Sequence, residues 1–175
     1  MGSEDTNLCS KAESGCCKWE YTEPYVKELK KLENERNPAL PGDDDPWEID
    51  AIEFFGALIE AATQPGGLGR EDYKAPLGRD VDRDVTPWLG EFRVQGAPRK
   101  AEGGGRHYRL YFAEPEIEKV LLSALLAHKT HREVASTVKG SAKKTSTAKQ
   151  TKQIGTAMDI TVRWCRDKSV RFRTI

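Results

Sequence analysis

The chain is short of several things, and each shortage removes a class of protein. No apolar run comes near the roughly 20 residues that cross a bilayer, so no membrane span is expected. The opening "MGSEDTNLCS" has neither the basic stretch nor the apolar stretch of a secretory signal. It reads as part of a flexible N-terminal tail over residues 1–15. The cysteines are Cys9, Cys16, Cys17 and Cys165, and no two form a CxxC pair. Without a signal, a disulfide framework is not expected, and the setting reads as a reducing cytoplasm. A zinc site drawn from Cys16, Cys17 and a histidine is an alternative; we expect no metal and no cofactor. "GSAKKT" has the wrong order and spacing for a phosphate-binding P-loop. No internal repeat is visible.

What is present fits one domain. The 175 residues suffice to bury a core without covalent staples. Charged residues make up 32% and hydrophobic ones 37%, so part of the chain is expected in loops. The net charge of zero conceals a gradient. Residues 1–60 hold 6 Lys+Arg against 15 Asp+Glu, residues 61–127 hold 10 against 10, and residues 128–175 hold 12 against 3. An acidic front and a basic rear either attract a polyanion to one end or pair with each other.

Patterning supplies the elements. "CCKWEYT" reads as a strand, and Pro24 suits the first turn of a helix over "PYVKELKKLENE". "DDDPWEIDAIEFFGALIEAAT" reads as a second helix, with Asp45 as its cap and Pro46 at its first position. "WLGEFRVQ" and "RHYRLYFAE" alternate as strands and form a hairpin across a glycine-rich loop, mobile over about 96–105. "EKVLLSALLAHK" is apolar enough for a central strand. A second mobile loop is expected over about 130–148, then a terminal helix to about 167 and a tail over 168–175. The four tryptophans are read mainly as core. The fold class is α+β: a mainly antiparallel sheet of about four strands in the order β-α-α-β-β-β, two N-terminal helices packed on it, and a C-terminal helix.

The hairpin raises the functional question. Tyr108, Leu110, Phe112, Phe92 and Val94 share one face, with Ile52 and Leu29 expected among their helix partners. His107, Arg109 and Tyr111 share the other face with Glu91 and Arg93. Two arginines at the middle of adjacent strands repel unless something anionic lies between them. That anion is either a ligand or a carboxylate of the chain, such as Glu91.

These pieces together resemble the RelE/ParE superfamily of bacterial toxins, and within it the HigB-like and phage-derived branch. The matching segments are "WEYTEPYVKELKKL", "YKAPLG", "WLGEFRV", "RHYRLYFAE" and "LLSALLAHKT" followed by a terminal helix, over about residues 16–166. The resemblance implies a domain over 16–167, with helices on one side of the sheet and a cleft on the other. It implies a metal-independent endoribonuclease that cuts translated mRNA on the ribosome by attack of the 2′-hydroxyl, with a cognate antitoxin as partner. By position, the catalytic residues become Arg93, Arg109, His128 and Lys129. RNA contacts become Lys74, Tyr111, His107, Arg106, Lys143 and Lys144. A gyrase-inhibiting toxin and a non-catalytic nucleic-acid-binding or structural protein on the same scaffold remain alternatives. The long loops and the lack of a matching C-terminal tyrosine depart from the family pattern.

Overall fold

A computed structural model describes residues 10–37, 45–79, 81–135 and 141–175. The first helix, α1 (Lys11–Ser14), is a single turn. Strand β1 (Lys18–Tyr21) runs directly into α2 (Glu23–Asn34), where the Thr22 hydroxyl accepts from the Tyr25 N–H and Pro24 sits in the first turn. Pro24 stands in the first turn as expected, and Thr22 is the cap. Helix α3 (Ile49–Thr63) starts later than expected, with Glu48 rather than Asp45 at its cap position. Strands β2 (Leu89–Gln95), β3 (His107–Ala113) and β4 (Val120–Lys129) follow. Helices α4 (His131–Ala135) and α5 (Ser141–Asp167) close the order.

The fold is α+β, built on one four-stranded sheet in the order β1-β4-β3-β2. The hairpin pairs β2 with β3, and β3 pairs with β4, both antiparallel; β1 joins β4 in parallel, so the sheet is mixed. Phe92, Tyr108, Leu110 and Phe112 are buried on one face, and Leu29, Ile52 and Val94 pack with them. Phe112 is the hub, with Phe92 stacked at 4.9 Å and Trp19, Tyr73 and Trp88 edge-on at 5.7–5.9 Å. Buried aromatics in such tilted and offset contacts supply much of a core's stability.

The second face is not the open cleft that the resemblance implies. Helix α5 lies across it, with Ile154, Ala157 and Met158 packed on Leu77, Leu89, Tyr111 and Leu122. The molecule therefore has three layers: α2 and α3, the sheet, and α5. Much of the loop expected over 130–148 is helical, because the α5 helix begins at Ser141 and not near residue 148. Ala, Lys and Gln are good helix formers, and the apolar anchor lies farther along the same helix. Residues 136–140 lie outside the described residues. Among the described residues, no helix is long and apolar enough to cross a membrane.

Both expected tails are partly structured. Residues 1–9 lie outside the described residues, but Ala12 is buried and Lys11 Nζ donates to the carbonyls of Pro115, Ile117 and Val120 at 2.5–3.1 Å. At the other end, Phe172 and Thr174 bridge to Pro115 and Pro87. Arg173 stacks over Trp88 at 4.6 Å and binds Glu114 at 2.9 Å. The hairpin loop is pinned as well: Arg99, inside it, reaches Glu35 and Glu48 at 2.7 and 2.8 Å.

Candidate functional site

Register decides which charged side chains meet. Arg93 is the direct partner of Arg109, Glu91 of Tyr111, and His107 of Lys129. Lys74 forms an isolated antiparallel bridge with Glu91, so it joins the same face at the β2 edge. Period-2 alternation thus gathers Lys74, Glu91, Arg93, His107, Arg109, Tyr111 and Lys129 on the α5 side of the sheet.

Glu91 sits between the two arginines. Its Oε1 pairs with Arg93 Nε, and its Oε2 lies 3.6 Å from Arg109 Nε. The carboxylate is fully buried, the Arg109 side chain is 11% exposed, and the Arg93 side chain is 48% exposed. Glu91 relieves the repulsion between two directly opposed guanidiniums. It does not saturate Arg109. Arg109 Nε and Nη1, His107 Nε2, His131 Nδ1 and Glu91 Oε2 are buried with no hydrogen-bond partner among the described residues. Buried polar atoms are nearly always satisfied, and one left unpaired costs on the order of 1–3 kcal/mol, more when the group is charged. Four of these five atoms are nitrogens, and the two on the Arg109 guanidinium are donors that an anion would satisfy.

Lys129 is 3% exposed. Burial pushes its ammonium down to about 8, with Arg109 adding repulsion. Burial also pushes the His107 imidazole below its ordinary value, assisted by His131, Arg109 and Lys129. One carboxylate against two guanidiniums leaves the site net positive, and the Lys129 ammonium adds to this below pH 8.

Some expected residues stand elsewhere. His128 and Lys129 are consecutive in β4, so they point to opposite faces, and they cannot both serve the arginine pair. His128 lies on the α2–α3 side, with its ring centroid 5.5 Å from that of Tyr108. Burial and then Arg106 lower its pKa. Arg106 is engaged there too: its Nε and Nη2 bind Glu102 at 2.8–3.1 Å, and Nη1 lies 3.8 Å from Glu35. Tyr111 shares the arginine face, but it is buried under α5, its hydroxyl donating to Gln153 Oε1 at 3.4 Å. It is a packing residue and not a surface for RNA bases. Lys143 and Lys144 fall in the opening turn of α5, and their side chains lie outside the described residues. Cys16 is exposed and Cys17 buried. Among the described residues, no group of three or more His, Cys, Asp or Glu is placed to hold a metal ion.

One member of the cluster was missed. His131 was expected in a loop, yet it opens α4 and stacks on His107, with ring centroids 5.8 Å apart at 24°. The alternation that puts Ala127 and Lys129 on this face reaches His131 next, so the signal was there. Beside the cluster, Lys74, Leu77, Arg79, Gln150 and Ile154 line a cavity of about 370 Å³. No family model, no curated protein and no solved structure matches this chain.

Proposed function

We propose that the chain is a toxin-type endoribonuclease that cuts translated mRNA by attack of a ribose 2′-hydroxyl on the neighbouring phosphodiester. The observation that carries this reading is Arg109, nearly withdrawn from solvent opposite a second arginine, with no hydrogen-bond partner for Nε or Nη1 among the described residues. Guanidinium forks match two phosphate oxygens and stay charged at every relevant pH. Donors fixed in a water-poor site act on charge that builds at phosphorus in the transition state. The nucleophile belongs to the substrate, so the protein has to grip the phosphate and move protons. The half-exposed Arg93 and the exposed Lys74 mark the side from which RNA enters. The lysines of the first half of α5 add attraction for the backbone regardless of sequence. The setting is the cytoplasm. The partners are ribosome-bound mRNA and an acidic antitoxin, and no cofactor takes part.

Helix α5 across the face favours a second reading, in which the scaffold acts by binding alone, as a gyrase inhibitor or a non-catalytic nucleic-acid-binding protein. Purified protein on ribosome-bound mRNA separates the two. The wild type cleaves, and Arg109→Ala, shown to be folded by circular dichroism, cleaves about a hundredfold more slowly, equivalent to roughly 3 kcal/mol. Growth arrest without any RNA cleavage replaces the nuclease reading with the binding one.

A further inference from the structure

We infer that His107 and Lys129 are the proton-transfer pair of this site, with His107 as the base and Lys129 as the acid. The inference rests on the endoribonuclease reading and replaces His128, which the resemblance placed among the catalytic residues. His128 is disqualified by the side of the sheet it occupies. His107 and Lys129 are instead directly opposite each other on β3 and β4. Direct partners hold their Cβ atoms about 4.5–5.5 Å apart on one face. Arg109 follows His107 by two residues and so stands on that face beside them both.

The stems differ in length. An imidazole hangs from one carbon and an ammonium from four, so the two heads can stand on two sides of a phosphate gripped by Arg109. The buried, unpartnered Nε2 of His107 is the acceptor that a neutral imidazole needs. Its environment keeps it neutral at pH 7: burial and then His131, Arg109 and Lys129 all disfavour the imidazolium. Lys129 faces Arg109, Glu133, Lys149 and Glu91, and with a pKa of about 8 it remains mostly ammonium at pH 7. Burial lowers both groups, and a neutral imidazole directly opposite an ammonium brought down to about 8 suits a base and an acid working near neutrality. At pH 7 the imidazole is neutral and the ammonium is mostly protonated, as these roles require.

The step balances without a co-reactant. The 2′-hydroxyl proton goes to His107 Nε2 as the 2′-oxygen bonds to phosphorus. The bond from phosphorus to the 5′-oxygen breaks, and that oxygen takes a proton from Lys129 Nζ. The products are a 2′,3′-cyclic phosphate and a 5′-hydroxyl, and solvent restores both side chains. Access needs a movement. Lys129 is 3% exposed, and His131 covers His107 where Gly104 leaves room: a Cβ at Gly104 would come within 2.7–3.0 Å of the His131 ring. The described state is closed, and substrate has to lift His131 and the start of α4.

The experiment uses full-length protein and ribosome-bound mRNA in single turnover across pH 5.5–9.5, with two variants that keep side-chain volume, His107→Gln and Lys129→Met. Each is expected to slow cleavage about a hundredfold, within the range for a lost general acid or base. His107→Gln should abolish the acidic limb of the pH profile, and Lys129→Met the alkaline limb. A substrate whose 5′-bridging oxygen is replaced by sulfur has a leaving group that needs no acid. It should restore Lys129→Met to near the wild-type rate and leave His107→Gln slow. A merely structural role predicts no such selective rescue. If the wild type cleaves but the limbs stay in place and sulfur rescues neither variant or both alike, the pair is wrong and the nuclease reading stands. If the wild type cleaves at no pH, the nuclease reading falls and takes the pair with it.

Discussion

Arg99 and Arg109 are both withdrawn from solvent, on opposite faces of one sheet, and the protein treats them differently. Arg99 is saturated. Its Nη1 and Nη2 bind Glu35 at 2.7 and 3.1 Å, Nη2 and Nε bind Glu48 at 2.8 and 3.2 Å, and its guanidinium lies over Trp47 at 4.9 Å. Arg109 has one carboxylate at 3.6 Å, shared with Arg93, and two nitrogens with no hydrogen-bond partner among the described residues. A guanidinium that ties a loop to two helices should look like the first. A guanidinium held ready for an anion should look like the second. Equal burial therefore conceals different work, and the count of satisfied donors tells the two apart.

The largest expected effect breaks this comparison by stability. Arg99→Ala leaves the fully buried Glu48 carboxylate without its cation. Breaking a buried pair from one side costs roughly 3–5 kcal/mol, because the remaining charge is uncompensated. Urea unfolding should show that loss. Arg109→Met removes donors that the protein does not satisfy, and Glu91 keeps Arg93. Its stability should stay within about 1 kcal/mol of the wild type. Equal losses at both positions would mean that Arg109 is as structural as Arg99.

How much of this was legible follows the same division. Alternation in "EFRVQ" and "RHYRLYF" was enough to put Arg93 opposite Arg109 and to bury Phe92, Tyr108, Leu110 and Phe112 together. A hairpin is local, and its period of two carries the information. Glu91 as a possible carboxylate between the arginines was legible for the same reason. The Arg99 network was not, since Glu35 and Glu48 reach it from two helices far back in the chain. Nor was the placement of α5 over the arginine face. Its first half is Ser-, Thr- and Lys-rich, and its docking depends on Ile154, Ala157 and Met158 finding Tyr111 and Leu77 across the sheet. His128 came from its position in the resemblance, whereas the side of the sheet it occupies depends on parity along β4 and turns it away from the arginines.

Lys129 offers a smaller effect that sharpens the contrast. Its folded pKa of about 8 lies below the ordinary lysine value of 10.5. A basic group with a depressed folded pKa opposes folding while it is protonated, so its penalty is fully present below pH 8. Between pH 8 and 10.5 the unfolded chain binds more protons than the folded one, and stability rises with pH. The slope from one such proton is at most about 1.4 kcal/mol per pH unit. The difference between wild type and Lys129→Met in urea midpoints, taken from pH 7 to pH 9.5, isolates this residue from the tyrosines that titrate higher. Wild type should gain on the variant as pH rises through 8. A difference independent of pH would mean that Lys129 is not a strained cation, and its role as an acid would lose its support.

The smallest effect concerns the clasp over the site. Lys149 of α5 binds Glu133 of α4 at 2.5 Å, with side chains 42% and 36% exposed. An ion pair this open to water is screened and has two long side chains to order, so it contributes roughly 0–1 kcal/mol. Lys149→Ala should lower global stability by no more than about 0.5 kcal/mol. Its local consequence should be larger than its global one. Glu133 follows His131 by two residues in the same turn, and Gln153, one turn beyond Lys149, donates to the His128 carbonyl at 3.1 Å. Loosening the pair frees the α4 turn while α5 stays anchored through Ile154 and Met158. Amide hydrogen exchange should therefore quicken over His131–Val134 and stay unchanged at Ala157–Thr161. If exchange quickens along the whole of α5, the helix is held by the clasp rather than by its apolar side, and the site opens by losing its third layer instead of by lifting one histidine.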